Sequence, residues 1–247
     1  MAAYIYHYTT INSLALILSN NTLRLNSLSN VDDAEEGLAD IFGDMSKYVF
    51  ASSWTRNKFE NVALWNMYTP NMRGVRIGID PQKINLECNE SGEVINIKNF
   101  DRTICYANSN FLCDVDYKDS SIVGIISNNG EIRQEDICRV GSVKSTLWKF
   151  QEEARFMLMG IPRDGFQCPY FLSKKNWFYE MILKKNETSI DYIDLILSDK
   201  VWENAEILLG PNSDSSDEII LSSLIDAHYP NSGIKIEKST LKIRTRK

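Results

Sequence analysis

The chain has 247 residues, of which 43% are hydrophobic and 24% charged, and its formal net charge is −6. This composition is typical of a folded globular protein and argues against disorder or a membrane class. The negative charge argues against broad electrostatic adhesion to nucleic acid. Because the start has no basic leader and no run of about 18 apolar residues occurs, we expect a cytoplasmic protein.

Cysteine and histidine usage narrows the chemistry further. The five cysteines are scattered without a Cys-x-x-Cys pair, and His7 and His228 are the only histidines. An odd, dispersed set of cysteines is typical of reduced thiols, and so few imidazoles make a histidine-rich metal site a poor hypothesis. We therefore predict neither a disulfide framework nor a metal.

The first elements alternate between extended and helical patterns. Tyr4 to Thr9 alternates and is rich in aromatic residues, which predicts a strand. Ile11 to Leu18 has the apolar spacing of a helix that follows an N-cap at Thr10. Thr22 to Leu25 is a short extended piece, and the polar run from Ser27 to Gly37 predicts a turn that opens an acidic helix.

The next segments continue this alternation before the pattern weakens. We predict an extended segment over Tyr48 to Trp54, a helix over Asn61 to Tyr68 and a strand over Gly74 to Asp80. From Pro81 to Ser142 the signal is weak. The candidates there are a strand over Glu93 to Ile97 and a helix over Tyr117 to Ile126.

The segment LWKFQEEARFML, residues 147–158, is the most informative stretch. Interpreted as a strand, it places its polar side chains on one face, namely Lys149, Gln151, Glu153 and Arg155. Its apolar residues also fit a helical stripe, so a helix is the alternative. Glu152 would fall on the apolar face of the strand, which implies an edge or a disturbed register there.

The remaining elements complete one domain. Gly160 to Pro162 predicts an interruption, and an aromatic segment follows over Tyr170 to Leu183. After it we predict, in order, an apolar segment over Asp191 to Asp199, a strand over Glu206 to Gly210, a helix over Asp217 to Ala227 and a last strand over Gly233 to Ile243. With no repeat or linker, residues 1–247 are predicted to form a single α+β domain. Residues 81–143 either form an insertion or complete the sheet.

Four pieces of the chain together resemble a bacterial family catalogued as a domain of unknown function. They are Tyr6-His7-Tyr8-Thr9; the acidic turn from Asp32 to Gly37; Ser52-Ser53-Trp54 with Trp65-x-x-Tyr68 and Gly74; and Trp148-x-x-Gln151-x-Glu153-x-Arg155. The late EILLGP, residues 206–211, resembles that family as well. Relatives usually show Glu-x-Glu where this chain has Gln151-x-Glu153, a departure that either changes the acceptor or has little effect.

That family is in turn similar to ADP-ribosyltransferases, including the DarT-like toxins that modify DNA. The resemblance implies an ADP-ribosyltransferase-like split β-sandwich with flanking helices, and NAD as co-substrate. It also implies three signature strands, which carry a His or Arg, a Ser or Tyr, and the catalytic Glu. In this chain the third strand would carry Glu153 and Gln151.

The chemistry explains why these residue types would serve. Cleavage of the nicotinamide glycosidic bond develops positive charge on the ribose, and Glu153 would stabilise that charge while it accepts a hydrogen bond from the ribose 2′-hydroxyl. Gln151 would align the acceptor with the anomeric carbon. The candidates for NAD binding are His7, Tyr8 and Thr9 on the first strand, Ser52 or Ser53 as a brace for Glu153, Trp65 and Tyr68 for stacking, and Arg24 and Arg155 for the pyrophosphate.

Several of these candidates have structural alternatives. If Tyr6 and Tyr8 face the core, His7 and Thr9 emerge on the opposite face, but the opposite parity is equally open. Trp65 and Tyr68 also fit helix packing, and Arg155 also fits an ion pair with Glu153. Asp33 and Glu36 would start a helix or order the cofactor pocket.

Our first hypothesis is a mono-ADP-ribosyltransferase of a bacterial conflict system, a toxin or anti-phage defence effector. It would modify a macromolecule, with a nucleic-acid base favoured over a protein side chain, and an antitoxin or chaperone would restrain it. This part rests on family analogy. The alternatives are an NAD glycohydrolase, with water in place of the acceptor, and a non-catalytic binding module.

Overall fold

The computed structural model describes residues 4–98, 103–124, 127–128, 131–132, 137, 139–162, 182, 184–185 and 187–243. These residues form an α+β fold dominated by one large sheet. The strands are β1 (Ile5–Thr9), β2 (Thr22–Ser27), β3 (Leu38–Ala39), β4 (Gly43–Asp44), β5 (Val49–Thr55), β6 (Val75–Ile79), β7 (Ile97–Lys98), β8 (Thr103–Asp114), β9 (Asp116–Lys118), β10 (Ser127–Asn128), β11 (Glu131–Ile132), β12 (Val143–Ser145), β13 (Glu153–Pro162), β14 (Tyr192–Ile196), β15 (Glu206–Leu209) and β16 (Lys235–Lys238).

Helices are fewer than strands in the described part of the chain. The α-helices are α1 (Ile11–Asn20), α2 (Val62–Tyr68) and α3 (Ser215–His228). Short 3₁₀ helices occur at Leu28–Asn30, Ser46–Tyr48, Pro70–Met72, Pro81–Lys83, Thr146–Gln151 and Asp199–Trp202. Among the residues described, no helix combines the length and the apolar character that crossing a membrane requires.

The first strand and helix form where the sequence predicts them. The Thr10 side chain accepts a hydrogen bond from the Ser13 amide, so α1 begins at the predicted N-cap. Leu14 and Leu18 are buried on its inner face. Asn21 ends the helix in the left-handed region with φ of 50°, a conformation that asparagine tolerates better than most residues, and β2 begins at the next residue.

The main sheet has the strand order β16-β15-β6-β1-β5-β2-β14-β7, with β13 on the other edge of β5 and β8 beyond it. Its neighbours are antiparallel except for the parallel pair β15 and β16. The strands β7 and β8 come from the region of weak sequence signal, and both pair within this sheet. Strand β13 is therefore central, held between β5 and β8.

The sheet forks along one edge of β5. Strand β2 pairs with its first half, at Phe50 and Ala51, whereas β1 pairs with its last residue, Thr55. Between these two contacts no described strand is registered against that edge. Strands β1 and β2 therefore diverge from β5, and a gap opens beside its centre.

The register decides which side chains share a face. Glu153 pairs with Thr55 and Arg155 with Ser53, and Thr55 pairs in turn with Tyr6. Since paired residues of antiparallel strands lie on the same face, these side chains share one face of the sheet. The other face carries the larger hydrophobic core, which includes Ile5, Phe50, Trp54, Ile77 and Phe156.

Two predicted helices are absent. The run from Ser27 to Gly37 contains the 3₁₀ helix Leu28–Asn30 followed by turns, and Glu36 lies in buried ion pairs with Lys144 and Arg155 instead of on an exposed helix. The helix predicted over Tyr117 to Ile126 is wrong for the residues described there. Tyr117 belongs to β9, which pairs with β12.

The strand predicted over residues 147–158 is wrong in its first half. Thr146–Gln151 is a 3₁₀ helix whose start is capped by the Ser145 side chain. Glu152 ends this helix with φ of 44°, in the left-handed region, and β13 begins at Glu153. The disturbed register expected at Glu152 is thus a change of secondary structure.

Two boundaries farther along also differ from prediction. The strand β13 continues through Gly160 to Pro162, where it pairs with β8. A glycine fits at position 160 because a Cβ there would lie 2.6 Å from the Phe50 ring. The last strand ends at Lys238.

Cys88, Cys105 and Cys113 are free thiols, while Cys138 and Cys168 lie outside the described residues. The predicted aromatic segment over Tyr170 to Leu183 also lies outside them, apart from Ile182.

Candidate active site

A pocket of about 360 Å³, including its open mouth, lies at the fork between β1 and β5. Its walls include the rings of Tyr6, Tyr8, Trp54 and Tyr68. Polar groups at the pocket come from His7, Ser53, Thr55, Gln151 and Glu153. The enclosed part, about 60 Å³, is smaller than a typical small-molecule site, but apolar walls with a few convergent polar groups are the usual composition of such a site.

Glu153 is the charged residue that lines this pocket, and it is 6% exposed. Its Oε1 accepts a hydrogen bond from Arg155 Nε at 2.5 Å, and its Oε2 accepts one from Arg155 Nη2 at 3.0 Å. Lys144 Nζ lies 3.2 Å from the same Oε2. The Glu153 amide donates to the Tyr117 hydroxyl at 2.9 Å, so backbone and side chain are both held.

Behind the pocket these residues form a closed ionic cluster. Glu36 Oε1 lies 2.8 Å from Lys144 Nζ, and Glu36 Oε2 lies 2.6 Å from Arg155 Nη1. The four side chains are between 0% and 7% exposed. Two carboxylates and two cations therefore balance one another in the interior, where an unpaired charge would cost several kcal/mol. We call Glu36, Lys144, Glu153 and Arg155 the ionic quartet.

The quartet keeps Glu153 ionised. Burial by itself would raise the pKa of this carboxyl, but the charges of Arg155 and Lys144 outweigh burial and lower its pKa to about 2. Burial likewise opposes the charge on Arg155, yet Glu153 and Glu36 raise the pKa of its guanidinium above the ordinary value. Glu153, which lines the pocket, is therefore ionised at neutral pH.

Gln151 and Tyr68 close one side of the pocket. The Gln151 amide donates to the Tyr68 hydroxyl at 3.0 Å, and its Oε1 accepts from Lys144 Nζ at 2.8 Å. Burial followed by the nearby charge of Glu153 raises the pKa of Tyr68, which keeps the phenol protonated. Gln151 lies in the 3₁₀ helix and not on the strand, so Lys144, which contacts both residues, is what links it to Glu153.

His7 occupies the gap between the diverging strands. Alternation puts it on the sheet face opposite Glu153, and its ring lies 5.1 Å from the ring of Trp54. Its Nδ1 lies 2.8 Å from the Ser53 carbonyl oxygen, which can only accept, so Nδ1 carries the proton. Burial lowers the pKa of His7, although the bond to Ser53 acts the other way, and the neutral ring leaves Nε2 as an acceptor.

Tyr8 and Thr9 differ in their relation to the pocket. Tyr8 lines it from the same face as Glu153, and its hydroxyl accepts a hydrogen bond from the Asn61 amide. Thr9 is buried and lies outside the lining. Of the two parities left open by the sequence, the one found places Tyr6 and Tyr8 on the Glu153 face.

Four other candidates lie outside the pocket lining. Ser52 points to the opposite face, where it accepts from the Trp54 indole, and Ser53 is the serine that hydrogen-bonds the Glu153 side chain. Trp65 is fully buried against Tyr8. Arg24 forms a bidentate pair with Asp194, and Arg155 is enclosed in the quartet. Neither guanidinium faces the pocket to meet a pyrophosphate.

Sequence reasoning missed Lys144 altogether, and for Glu36 it left two roles open, the start of a helix or the ordering of the cofactor pocket. Lys144 comes from β12, a short strand that pairs in parallel with β9. A buried lysine carries no local sequence signature. The one available signal was the resemblance of the acidic turn from Asp32 to Gly37 to a family motif, because the pair of Glu153 and Arg155 does not by itself explain that turn.

Comparisons with known proteins add no relative: no family model, no curated protein and no solved structure matches this chain.

Proposed function

We propose that this protein is an NAD-dependent mono-ADP-ribosyltransferase, a glycosyltransferase with an ADP-ribosyltransferase-like split β-sandwich, and that Glu153 is its catalytic carboxylate. One observation carries the proposal: Glu153, whose carboxylate is ionised and immobilised, lines an aromatic-walled pocket at the fork between β1 and β5. The fork supports the split-sheet expectation, because β1 and β2 leave the same edge of β5.

The carboxylate suits the charge that develops in this reaction. The C1′–nitrogen bond of NAD breaks, its electron pair leaves with neutral nicotinamide, and a nucleophilic atom of the acceptor bonds to C1′ and loses a proton. Positive charge grows on the ribose meanwhile, and a fixed negative group at that point stabilises the transition state more than the ground state. The quartet holds Glu153 so that little reorganisation is required.

The pocket walls suit the nicotinamide ring of bound NAD. Nicotinamide in NAD is a cationic ring, and the negative faces of tyrosine and tryptophan rings attract cations. Tyr6, Tyr8 and Tyr68 line the pocket with Glu153, and His7 Nε2 offers an acceptor for an amide or hydroxyl proton. These groups support a binding site for the nicotinamide-ribose part of NAD.

The acceptor and the biological role follow from the resemblance described above. We propose a macromolecular acceptor, with a nucleic-acid base favoured over a protein side chain. The enzyme would act as a bacterial toxin or anti-phage defence effector in the cytoplasm, and an antitoxin or chaperone would be its partner. Gln151 and Tyr68, at the side of the pocket, are the residues that we propose to face the acceptor.

Labelled NAD added to a cell lysate tests the transferase activity. We expect protein-dependent label on a macromolecule, which RNase or DNase removes if the acceptor is a nucleic acid and protease removes if it is a protein. Incubation of the purified protein with NAD alone tests the glycohydrolase alternative. Sustained nicotinamide release without any macromolecule would show that the protein hydrolyses NAD and does not transfer ADP-ribose.

A non-catalytic binding module is the second candidate, and the closed quartet favours it. Glu153 is neutralised by Arg155 and Lys144, and both ends of the Gln151 amide are occupied. Such satisfied polar groups also serve a purely structural role. Calorimetry with NAD and the assay of nicotinamide release together distinguish the candidates. If the wild-type protein neither binds NAD nor releases nicotinamide, the enzymatic proposals fail and the module is favoured.

A further inference from the structure

We propose that Glu36 and Lys144 are positioning residues that fix both the orientation and the charge of the Glu153 carboxylate; this rests on the proposed function of Glu153. Neither residue lines the pocket. Both act from behind it, through contacts that the sequence does not reveal.

Lys144 joins the two polar residues on which the chemistry depends. Its Nζ lies 2.8 Å from Gln151 Oε1 and 3.2 Å from Glu153 Oε2, and its charge lies 4.8 Å from the centre of the Trp148 ring. Gln151 and Glu153 belong to different elements separated by a left-handed residue, so the strand alternation does not align them. The ammonium group sets their relative position.

Glu36 balances the two cations from a distant part of the chain. It pairs with Lys144 at 2.8 Å and with Arg155 at 2.6 Å, and it is 2% exposed. Without its charge, two cations would surround Glu153 alone, and the cluster would be left with a net positive charge. By pairing with Lys144 and Arg155, Glu36 fixes the positions of both cations, and Glu153 thereby keeps its place in the pocket lining.

The other titratable groups around Glu153 are neutral near pH 7. Burial is the main cause that raises the pKa of the Tyr117 hydroxyl to about 12 and that of the Cys113 thiol to about 11, and burial also raises the pKa of Tyr68. The charged and titratable groups that face Glu153 are Arg155 on β13, Lys144 on β12, Glu36 before β3, Tyr68 on α2, Tyr117 on β9 and Cys113 on β8. Arg155 and Lys144 therefore act on the Glu153 charge directly, and Glu36 acts on it through its ion pairs with these two cations.

The decisive experiment combines a titration with kinetics. The Glu153 carboxyl is followed by ¹³C NMR in protein labelled on glutamate, and it is assigned by its loss in Glu153→Gln. For Lys144→Met we expect the pKa of Glu153 to rise by about one unit or more, since a cation in direct contact lowers a carboxyl pKa by about 1–3 units. We expect kcat for nicotinamide release to fall about 10- to 100-fold with little change in KM.

Two further variants keep the test valid if a buried unpaired charge prevents folding. Glu36→Gln should not raise the pKa of Glu153, and the double variant Glu36→Gln/Lys144→Met, which restores charge balance, should shift it less than Lys144→Met alone. Lys118→Met is the matched control, because Lys118 forms an exposed pair with Asp116 on the adjoining strand β9. It should change neither the pKa nor kcat.

The outcomes separate this inference from the proposed function. If Lys144→Met lowers the melting temperature but leaves the pKa of Glu153 and kcat as in the wild type, Lys144 is only structural and the inference fails. If the wild-type protein releases no nicotinamide, the proposed function fails. In that case, the titration still tests whether Lys144 and Glu36 control the Glu153 carboxylate.

Discussion

Replacing Arg155 by methionine should be among the most destabilising single changes in the described part of the molecule. The guanidinium is 1% exposed and contacts both Glu153 oxygens, a Glu36 oxygen at 2.6 Å and the Gly141 carbonyl at 2.7 Å. Methionine fills similar space but leaves two buried carboxylates to share Lys144. Removal of one partner from a buried ion pair typically costs about 3–5 kcal/mol, and we expect a loss in this range.

Urea denaturation monitored by tryptophan fluorescence measures the loss, and an exposed ion pair is the control. Arg56 pairs with Asp114, with side chains 43% and 66% exposed, so Arg56→Met should cost no more than about 1 kcal/mol. The double variant Arg155→Met/Glu36→Gln removes one excess charge and should recover part of the stability. If Arg155→Met costs as little as Arg56→Met, the quartet does not carry the energy that its burial implies.

Three further predictions concern the pH dependence and the packing of the fold. The cations lower the pKa of Glu153 from 4.5 to about 2, so its contribution to stability is complete above about pH 4.5 and is lost as the pH falls towards 2. Glu153→Gln should flatten the dependence of unfolding free energy on pH in that window, and an unchanged slope would contradict the ionised state. Asn21→Ala should cost about 1–2 kcal/mol in chemical denaturation, because alanine disfavours φ of 50° and lacks the amide that donates to Leu197 O and Asp199, whereas Asn21→Gly should cost less. Gly160→Ala should cost about 1–3 kcal/mol, since its Cβ would lie 2.6 Å from the Phe50 ring, and a fully stable alanine variant would show that the ring moves freely.

Much of the fold was predictable wherever one local signal dominated. The segments β1, α1, β2, β5, α2 and β6 follow from alternation and helical spacing, with Thr10 as the predicted N-cap of α1. The failures occur where tertiary contacts override such signals. Glu36 lies in a sequence pattern that predicts a helix, but its side chain pairs with the buried cations Lys144 and Arg155. Gly160 lies inside a strand although glycine usually predicts an interruption, and Phe50 packs over it.

The site was predictable in part, for the same physical reason. Glu153 and the first strand do meet at one pocket, and Arg155 forms the ion pair with Glu153 that was the alternative to a pyrophosphate contact. Gln151 reaches that pocket too, but through a 3₁₀ turn that the two-residue spacing did not indicate. Lys144 was invisible to sequence reasoning because β12 pairs with β9 in a separate two-stranded sheet, and only the folded chain brings the Lys144 side chain to Glu153.

Nicotinamide release from NAD in the presence of lysate, compared between two neighbouring variants, is the most direct test of the catalytic role of Glu153. Glu152→Gln is the matched control, because its exposed side chain can still accept the hydrogen bond from Asn57. We expect wild-type rates from Glu152→Gln and a loss of about 100-fold or more from Glu153→Gln. Equal rates from both variants, or no release from the wild-type protein, would contradict ADP-ribosyl transfer by this carboxylate.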